Sequence, residues 1–260
     1  MARKDDRCPA TGKSYSLEPM RRDILTDPFF GEAVRFVLER IGDLREKKIV
    51  DIGCGSGRMS VFFALAGARV IGIDKKSSAL EESRRLARLC AVEGRCLFLL
   101  GTAESLPVGA ATTDLAFSRS ALQYMDRKWV LPGYARIVKP SGDLVLIENL
   151  SHNPFINFYR LRRRLFPTTS SDLEHVKSVR TYITPAEVEN LDRYFQVVEH
   201  DEFHFIRMFS IYLCRHFGGG IAGTIDRVFH RIDRAVFRLF PFLRRFAWFT
   251  AVYCTGKRHV

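Results

Sequence analysis

Residues 50–58, Val-Asp-Ile-Gly-Cys-Gly-Ser-Gly-Arg, run a β-branched stretch into three glycines and then into a helical pattern. Glycine is needed where the backbone takes positive φ or must touch a ligand, and a turn of this kind aims the free amides of a helix start at that ligand. The chemistry expected is binding of a nucleotide-like molecule. In a dinucleotide fingerprint the third glycine comes three positions after the second, whereas here Gly53, Gly55 and Gly57 are evenly spaced and Arg58 follows. That spacing disfavours a nicotinamide-dependent oxidoreductase. Two carboxylates flank the turn: Asp51, two residues before Gly53, and Asp74, at the end of the next apolar run. Cys54, inside the loop, reads as a small packing residue. The six cysteines show neither a Cys-x-x-Cys pair nor zinc-ligand spacing with histidine, so no metal site is expected. A general base is needed only if a reacting group is protonated at neutral pH. His152, four residues after Glu148, is the best-placed catalytic candidate, ahead of His200, His204, Tyr15 and Tyr124.

These residues need a scaffold, and the hydropathy pattern supplies one. Strands are expected at 48–52, 69–73, 95–100, 114–118 and 143–148, separated by helix or loop, with helices over 28–41, 59–66 and 80–93. Strand and helix alternating at this spacing predicts an α/β fold, a Rossmann-like, mostly parallel sheet of seven strands with helices on both faces. Such sheets bind ligands beyond the carboxyl ends of their strands, where Gly53, Asp74 and His152 fall. After residue 150 the rhythm changes. Helices are expected over 155–166, 203–217 and 221–240, a capping box starts at Thr184 with Glu187, and the last strands lie at 195–200 and 247–254.

Over residues 45–150 the order and intervals resemble those of class I S-adenosylmethionine-dependent methyltransferases, most closely the small-molecule group called methyltransferase type 11. The resemblance rests on the Asp51 to Gly57 loop, on Asp74, on the Gly101-Thr102-Ala103-Glu104 loop, on the strand ending at Ser118, and on the Lys139-Pro140-Ser141-Gly142 turn. It implies S-adenosylmethionine as cofactor. Asp51, Gly53, Cys54, Gly55 and Gly57 would form the loop beneath it, Asp74 would hold the ribose hydroxyls with Lys75 beside it, and Ala103 and Glu104 would border the adenine. Ser118 would stand at the methyl-donor end, before residues 119–124 lining the pocket. The resemblance also implies methyl transfer to a small-molecule or lipid-like acceptor. The alternatives are a binding protein that keeps the fold without turnover and, more remotely, the oxidoreductase.

The chain of 260 residues reads as one domain: an N-terminal arm or lid at 1–27, a donor-binding core at 28–150, cap insertions at 151–194 and 201–246, and closing strands at 195–200 and 247–256. No run is long and apolar enough to cross a bilayer, and Met1 to Arg7 lead into no apolar segment, so the cytoplasm is the expected address. The net charge of +12 points to an anionic partner, and residues 218–260 carry eight Lys/Arg against two Asp/Glu. Arg227, Arg231, Arg234 and Arg238 recur at helical steps beside apolar residues, which suggests peripheral contact with an anionic membrane. Nucleic acid is disfavoured, because Ser118-Arg119-Ser120-Ala121 stands where base-amine methyltransferases carry an Asn/Asp-Pro-Pro-aromatic motif.

Overall fold

The computed structural model describes residues 16–166, 177–210 and 219–258. β1 (Lys48–Ile52), β2 (Arg69–Asp74), β3 (Cys96–Leu100), β4 (Thr113–Arg119) and β5 (Val138–Asn149) are parallel. β7 (Phe249–Lys257) inserts antiparallel between β5 and β6 (Phe195–Phe203), giving the order β3-β2-β1-β4-β5-β7-β6. The central stretches of β1, β4 and β5, at Ile49 and Val50, Leu115 to Phe117 and Leu144 to Ile147, are apolar because both of their faces are covered, as parallel sheets require. One core layer packs Val34, Val37 and Ile41 of α2 (Gly31–Ile41) and Phe62 and Phe63 of α3 (Arg58–Leu65) against Ile49, Leu115 and Phe117. The other face packs Val130 and Tyr134 of α5 (Arg127–Ile137) against Val50, Ala116, Leu144 and Leu146. α4 (Ser77–Leu89) lies between β2 and β3 in the chain and buries Leu80 and Leu86.

Four differences from the sequence reading have physical causes. The segment 17–25, expected within an arm or lid, is instead helix α1 (Leu17–Leu25), whose Met20 and Ile24 join the core; residues 1–15 lie outside the described residues. α2 starts at Gly31 rather than at Pro28, because the Asp27 side chain accepts the amides of Phe29 and Phe30 and bends the chain first. The helix expected from Phe203 does not begin there: β6 continues through Asp201, Glu202 and Phe203, which pair with Ala251, Thr250 and Phe249 of β7. Its portion at 211–217 lies outside the described residues. The last strand starts at Phe249 rather than Ala247, after a 3-10 turn over Pro241–Phe246.

The region after β5 holds α6 (Pro154–Leu165), α7 (Pro185–Glu189) and α8 (Gly219–Leu239). The capping box expected at Thr184 and Glu187 is present in both directions. α6 is tied down by Asn153, which caps Ile156 and donates to the carbonyl of Phe246 at 2.8 Å. α8 is anchored by Phe237 and by Asp233, whose carboxylate accepts the amides of Phe205, Ile206 and Arg207. The apolar stripe that the sequence placed on α8 is only partly covered, with Val236 against the core. Val228, Ile232 and Leu239 are exposed, as are Phe158, Leu161 and Leu165 on α6.

Candidate active site

β1 stops at Ile52 because the amides of Gly53 and Cys54 turn to the carbonyl of Ile73 at the end of β2, at 2.8 and 3.1 Å. Gly53, Gly55 and Gly57 all adopt positive φ, and two of them leave no room for a side chain. A Cβ on Gly53 would lie 2.6 Å from that of Ala121, and one on Gly57 would lie 2.7 Å from Ser83. Gly55 is different: nothing stands within 4 Å of its missing Cβ, and it faces open space. Its amide donates to Asp74 Oδ2 at 2.9 Å, and Lys76 donates to Oδ1 at 2.9 Å, so loop and carboxylate hold each other.

Above them lies a cleft of about 1120 Å³ at the carboxyl ends of the strands, where the strand order reverses between β1 and β4. Of the residues the sequence singled out, Gly53, Gly55, Asp74, Lys75, Ala103 and Glu104 line it. Ala103 is buried, and Glu104 accepts the amide of Asp126 at 3.3 Å, joining the loop after β3 to the start of α5. Tyr124 lines the cleft with Lys75 5.8 Å from its ring centroid. Burial raises the Tyr124 pKa above that of an ordinary phenol.

Four predicted residues support the cleft without lining it. Asp51 is buried and accepts the Ser60 hydroxyl at 2.5 Å, pinning α3 to β1; burial pushes its pKa up to about 6. Cys54 packs its sulfur toward Gly72, and burial raises its thiol far out of the reactive range. Gly57 forms the left-handed N-cap of α3. Ser118 is buried and donates to Glu148 at 3.3 Å.

His152 is exposed and does not line the cleft, so its position gives no support to a role as general base. Among the weaker candidates, His204 is buried against Trp248 and Phe249 and donates to the Phe29 carbonyl; burial lowers its pKa to about 4. His200 pairs with Glu202 at 2.6 Å on β6. Tyr15 lies outside the described residues.

The residue that sequence reasoning missed is Glu148. It is almost fully buried at the end of β5, and one oxygen accepts the amides of Ala121 and Leu122, at 3.1 and 3.3 Å, as well as the Ser118 hydroxyl. Its other oxygen has no partner, and burial pushes its pKa up to about 7. Glu148 thus fixes the turn after β4, where Ser120 takes a positive φ and Ala121 closes over Gly53. An acid directly after the apolar run Leu144 to Ile147 was the available signal. Met125, Asp126 and Trp129 also line the cleft, from the turn before α5 and its first residues. Lys177, Ser178 and Arg180 add a basic edge. Among the described residues no group of three metal-ligating side chains is present.

Comparison with known proteins gives a consistent picture. Residues 49–142 match the family model described as a methyltransferase domain. The chain is 31% identical over 116 residues to the malonyl-[acyl-carrier protein] O-methyltransferase of Hamiltonella defensa, covering 44% of this chain and 42% of that one. It is 33% identical over 124 residues to the ubiquinone biosynthesis O-methyltransferase of Pseudomonas savastanoi pv. phaseolicola, covering 46% of this chain and 51% of that one. The chain thus spans about half the length of these curated relatives. Among solved structures, geranyl diphosphate methyltransferase in complex with S-adenosylmethionine superposes with a TM-score of 0.56 over 94% of this chain and 96% of that one, at 16% identity. At that identity the likeness concerns the fold.

Proposed function

From a chain that carries a class I S-adenosylmethionine-dependent methyltransferase domain, we infer an enzyme that transfers the methyl group to a small-molecule or lipid-like acceptor. The observation that carries this reading is the pairing of Gly55 with Asp74 at the floor of the cleft. An ionised carboxylate has about four acceptor positions, and the amides of Gly55 and Lys76 use two of them. Two remain for a vicinal diol, such as the hydroxyls of a ribose. The open side of Gly55 leaves room for a ligand chain above the loop, and buried Ala103 provides an apolar surface for a base. S-adenosylmethionine, bound there, supplies a methyl carbon activated by its positive sulfur.

The chain's own part in the reaction is placement. Gly53 and Ala121 set the width of the cleft where the loop meets the end of β4, and Glu148 keeps that turn from moving. Holding two reactants in line is worth roughly 7 to 11 kcal/mol in favourable cases. The names of the two curated relatives, a malonyl-[acyl-carrier protein] O-methyltransferase and a ubiquinone biosynthesis O-methyltransferase, support a small or carrier-bound acceptor. The region after β5 is the proposed cover. Its exposed Phe158, Leu161 and Leu165 on α6 and Val228, Ile232 and Leu239 on α8 stand among Arg162, Arg163, Arg164, Arg231 and Arg238. Apolar side chains interleaved with arginine suit the interface of an anionic bilayer, from which a lipid-like acceptor would be drawn. Among the described residues no helix is long and apolar enough to cross a membrane.

The test is transfer of labelled methyl groups from S-adenosylmethionine into metabolite and lipid extracts, with the protein carrying Asp74→Ala as control. Label in an extractable small molecule, lost with the control, is expected. Label found in no fraction, or found equally with the control, would overturn the reading.

A further inference from the structure

Arg119 is the last residue of β4, opposite Ile147 of β5 and one residue before Ser120, which lines the cleft. Side chains alternate along a strand, so Arg119 points to the opposite face from Ser118, toward Asp51 and the turn that precedes α2. Its guanidinium lies 5.0 Å over the ring of Phe30. Surrounding groups withdraw it from water strongly enough to lower its pKa, against the pull of Asp51 and Asp27. Yet among the described residues it makes no hydrogen bond and no ion pair. The nearby carboxylates are otherwise engaged. Asp51 accepts the Ser60 hydroxyl, and Asp27 accepts two amides.

Other partly covered arginines among the described residues are in ion pairs. Arg58 pairs with Asp23, Arg127 with Glu187 and Arg207 with Asp226. A guanidinium has five N–H donors in a fixed fork that matches a carboxylate or phosphate edge. Arg119 is half-buried, and with no hydrogen bond made its N–H donors are free for a partner that comes and goes. A ligand is such a partner.

We propose that Arg119, which stands beside the cleft and not in its lining, is a receptor for an anionic group, a carboxylate or phosphate, on a ligand that extends from the cleft past Ser120. The proposal rests on the donor reading above. It allows two sources of the same chemistry: the carboxylate at the amino-acid end of the donor, or an acid group on the acceptor.

The experiment compares the full native chain with Arg119→Gln and Arg119→Met. Calorimetry measures affinity for S-adenosylhomocysteine, for decarboxylated S-adenosylmethionine and for pyrophosphate; thermal unfolding is followed without ligand. Both variants are expected to unfold near the native temperature, because neither removes a hydrogen bond or an ion pair of the half-buried Arg119. Each is also expected to lose about tenfold or more in affinity for one anion. A loss for S-adenosylhomocysteine but not for the decarboxylated donor assigns the donor carboxylate. A loss for pyrophosphate with S-adenosylhomocysteine affinity kept assigns an acid group on the acceptor. Unchanged affinity for all three probes overturns the proposal, and so does marked destabilisation of both variants, which would make Arg119 a structural residue. If the native chain binds neither nucleoside, the donor reading falls, while the pyrophosphate comparison still decides Arg119.

Discussion

Replacing Asp74 with alanine removes two kinds of bond whose magnitudes separate cleanly. Toward a ribose, the carboxylate offers two charge-assisted hydrogen bonds, each worth about 1.5 to 3 kcal/mol, so the loss should total about 3 to 6 kcal/mol and weaken donor affinity by about 10² to 10⁴. Toward the protein, the change strands the amides of Gly55 and Lys76. Neither amide is deeply buried, so water can replace the carboxylate, and the cost in stability should stay near 1 to 2 kcal/mol, or about that of two ordinary hydrogen bonds. The assay is calorimetric titration with S-adenosylhomocysteine, paired with thermal unfolding to confirm that the variant folds. Asp74→Asn keeps one acceptor oxygen and should fall between the two. Donor affinity within about twofold of native in a folded Asp74→Ala chain would refute the assignment, since no pair of charge-assisted bonds is that weak.

Glu148 makes the stability of this protein depend on pH in a definite sense. Its folded pKa of about 7 lies above the ordinary 4.5, so the folded state holds the proton more tightly. The contribution to stability is fully present below pH 4.5 and is lost as pH rises through about 7, a loss of up to roughly 3 kcal/mol. Glu148→Gln keeps an acceptor for Ala121 and Leu122, and urea unfolding at pH 5 and pH 8 should show the native chain losing stability relative to this variant; parallel behaviour would contradict the assignment. His152→Gln should leave turnover within a few-fold of native in the methyl-transfer assay, because His152 is exposed and does not line the cleft; a fall of about 10² would restore it as a general base. Sedimentation with anionic vesicles should capture the protein at low salt and release it at high salt, with capture reduced by changing Arg231, Arg234 and Arg238 to Gln. Equal behaviour toward neutral vesicles would remove the membrane contact.

How much was legible in the sequence depended on whether the determinant was local. The glycine loop was, because positive φ at Gly53, Gly55 and Gly57 is a property of the residues themselves. So were the buried strands, whose β-branched runs need no partner to be recognised, and the capping box at Thr184, whose two bonds span three residues. The end of β6 was not legible. Asp201, Glu202 and Phe203 extend only because β7 lies alongside, some 50 residues further along the chain. α1 escaped because only Met20 and Ile24 of its nine residues are buried, too few to mark a helical stripe. On α8 the apolar periodicity is real, but which side faces the core is set by Asp233, a polar residue that caps amides following β6. Glu148 and Arg119 are distinguished by what does not bond to them, and a sequence carries no record of that.

The central claim is that the cleft at Gly55 and Asp74 takes the methyl donor and not a dinucleotide. Calorimetric titration of the native chain with S-adenosylhomocysteine and, separately, with NAD tests it most directly. Saturable binding of S-adenosylhomocysteine in the micromolar range, with no heat of binding from NAD, is the predicted result. Saturable binding of NAD, or none of S-adenosylhomocysteine by a chain that unfolds cooperatively, would contradict it.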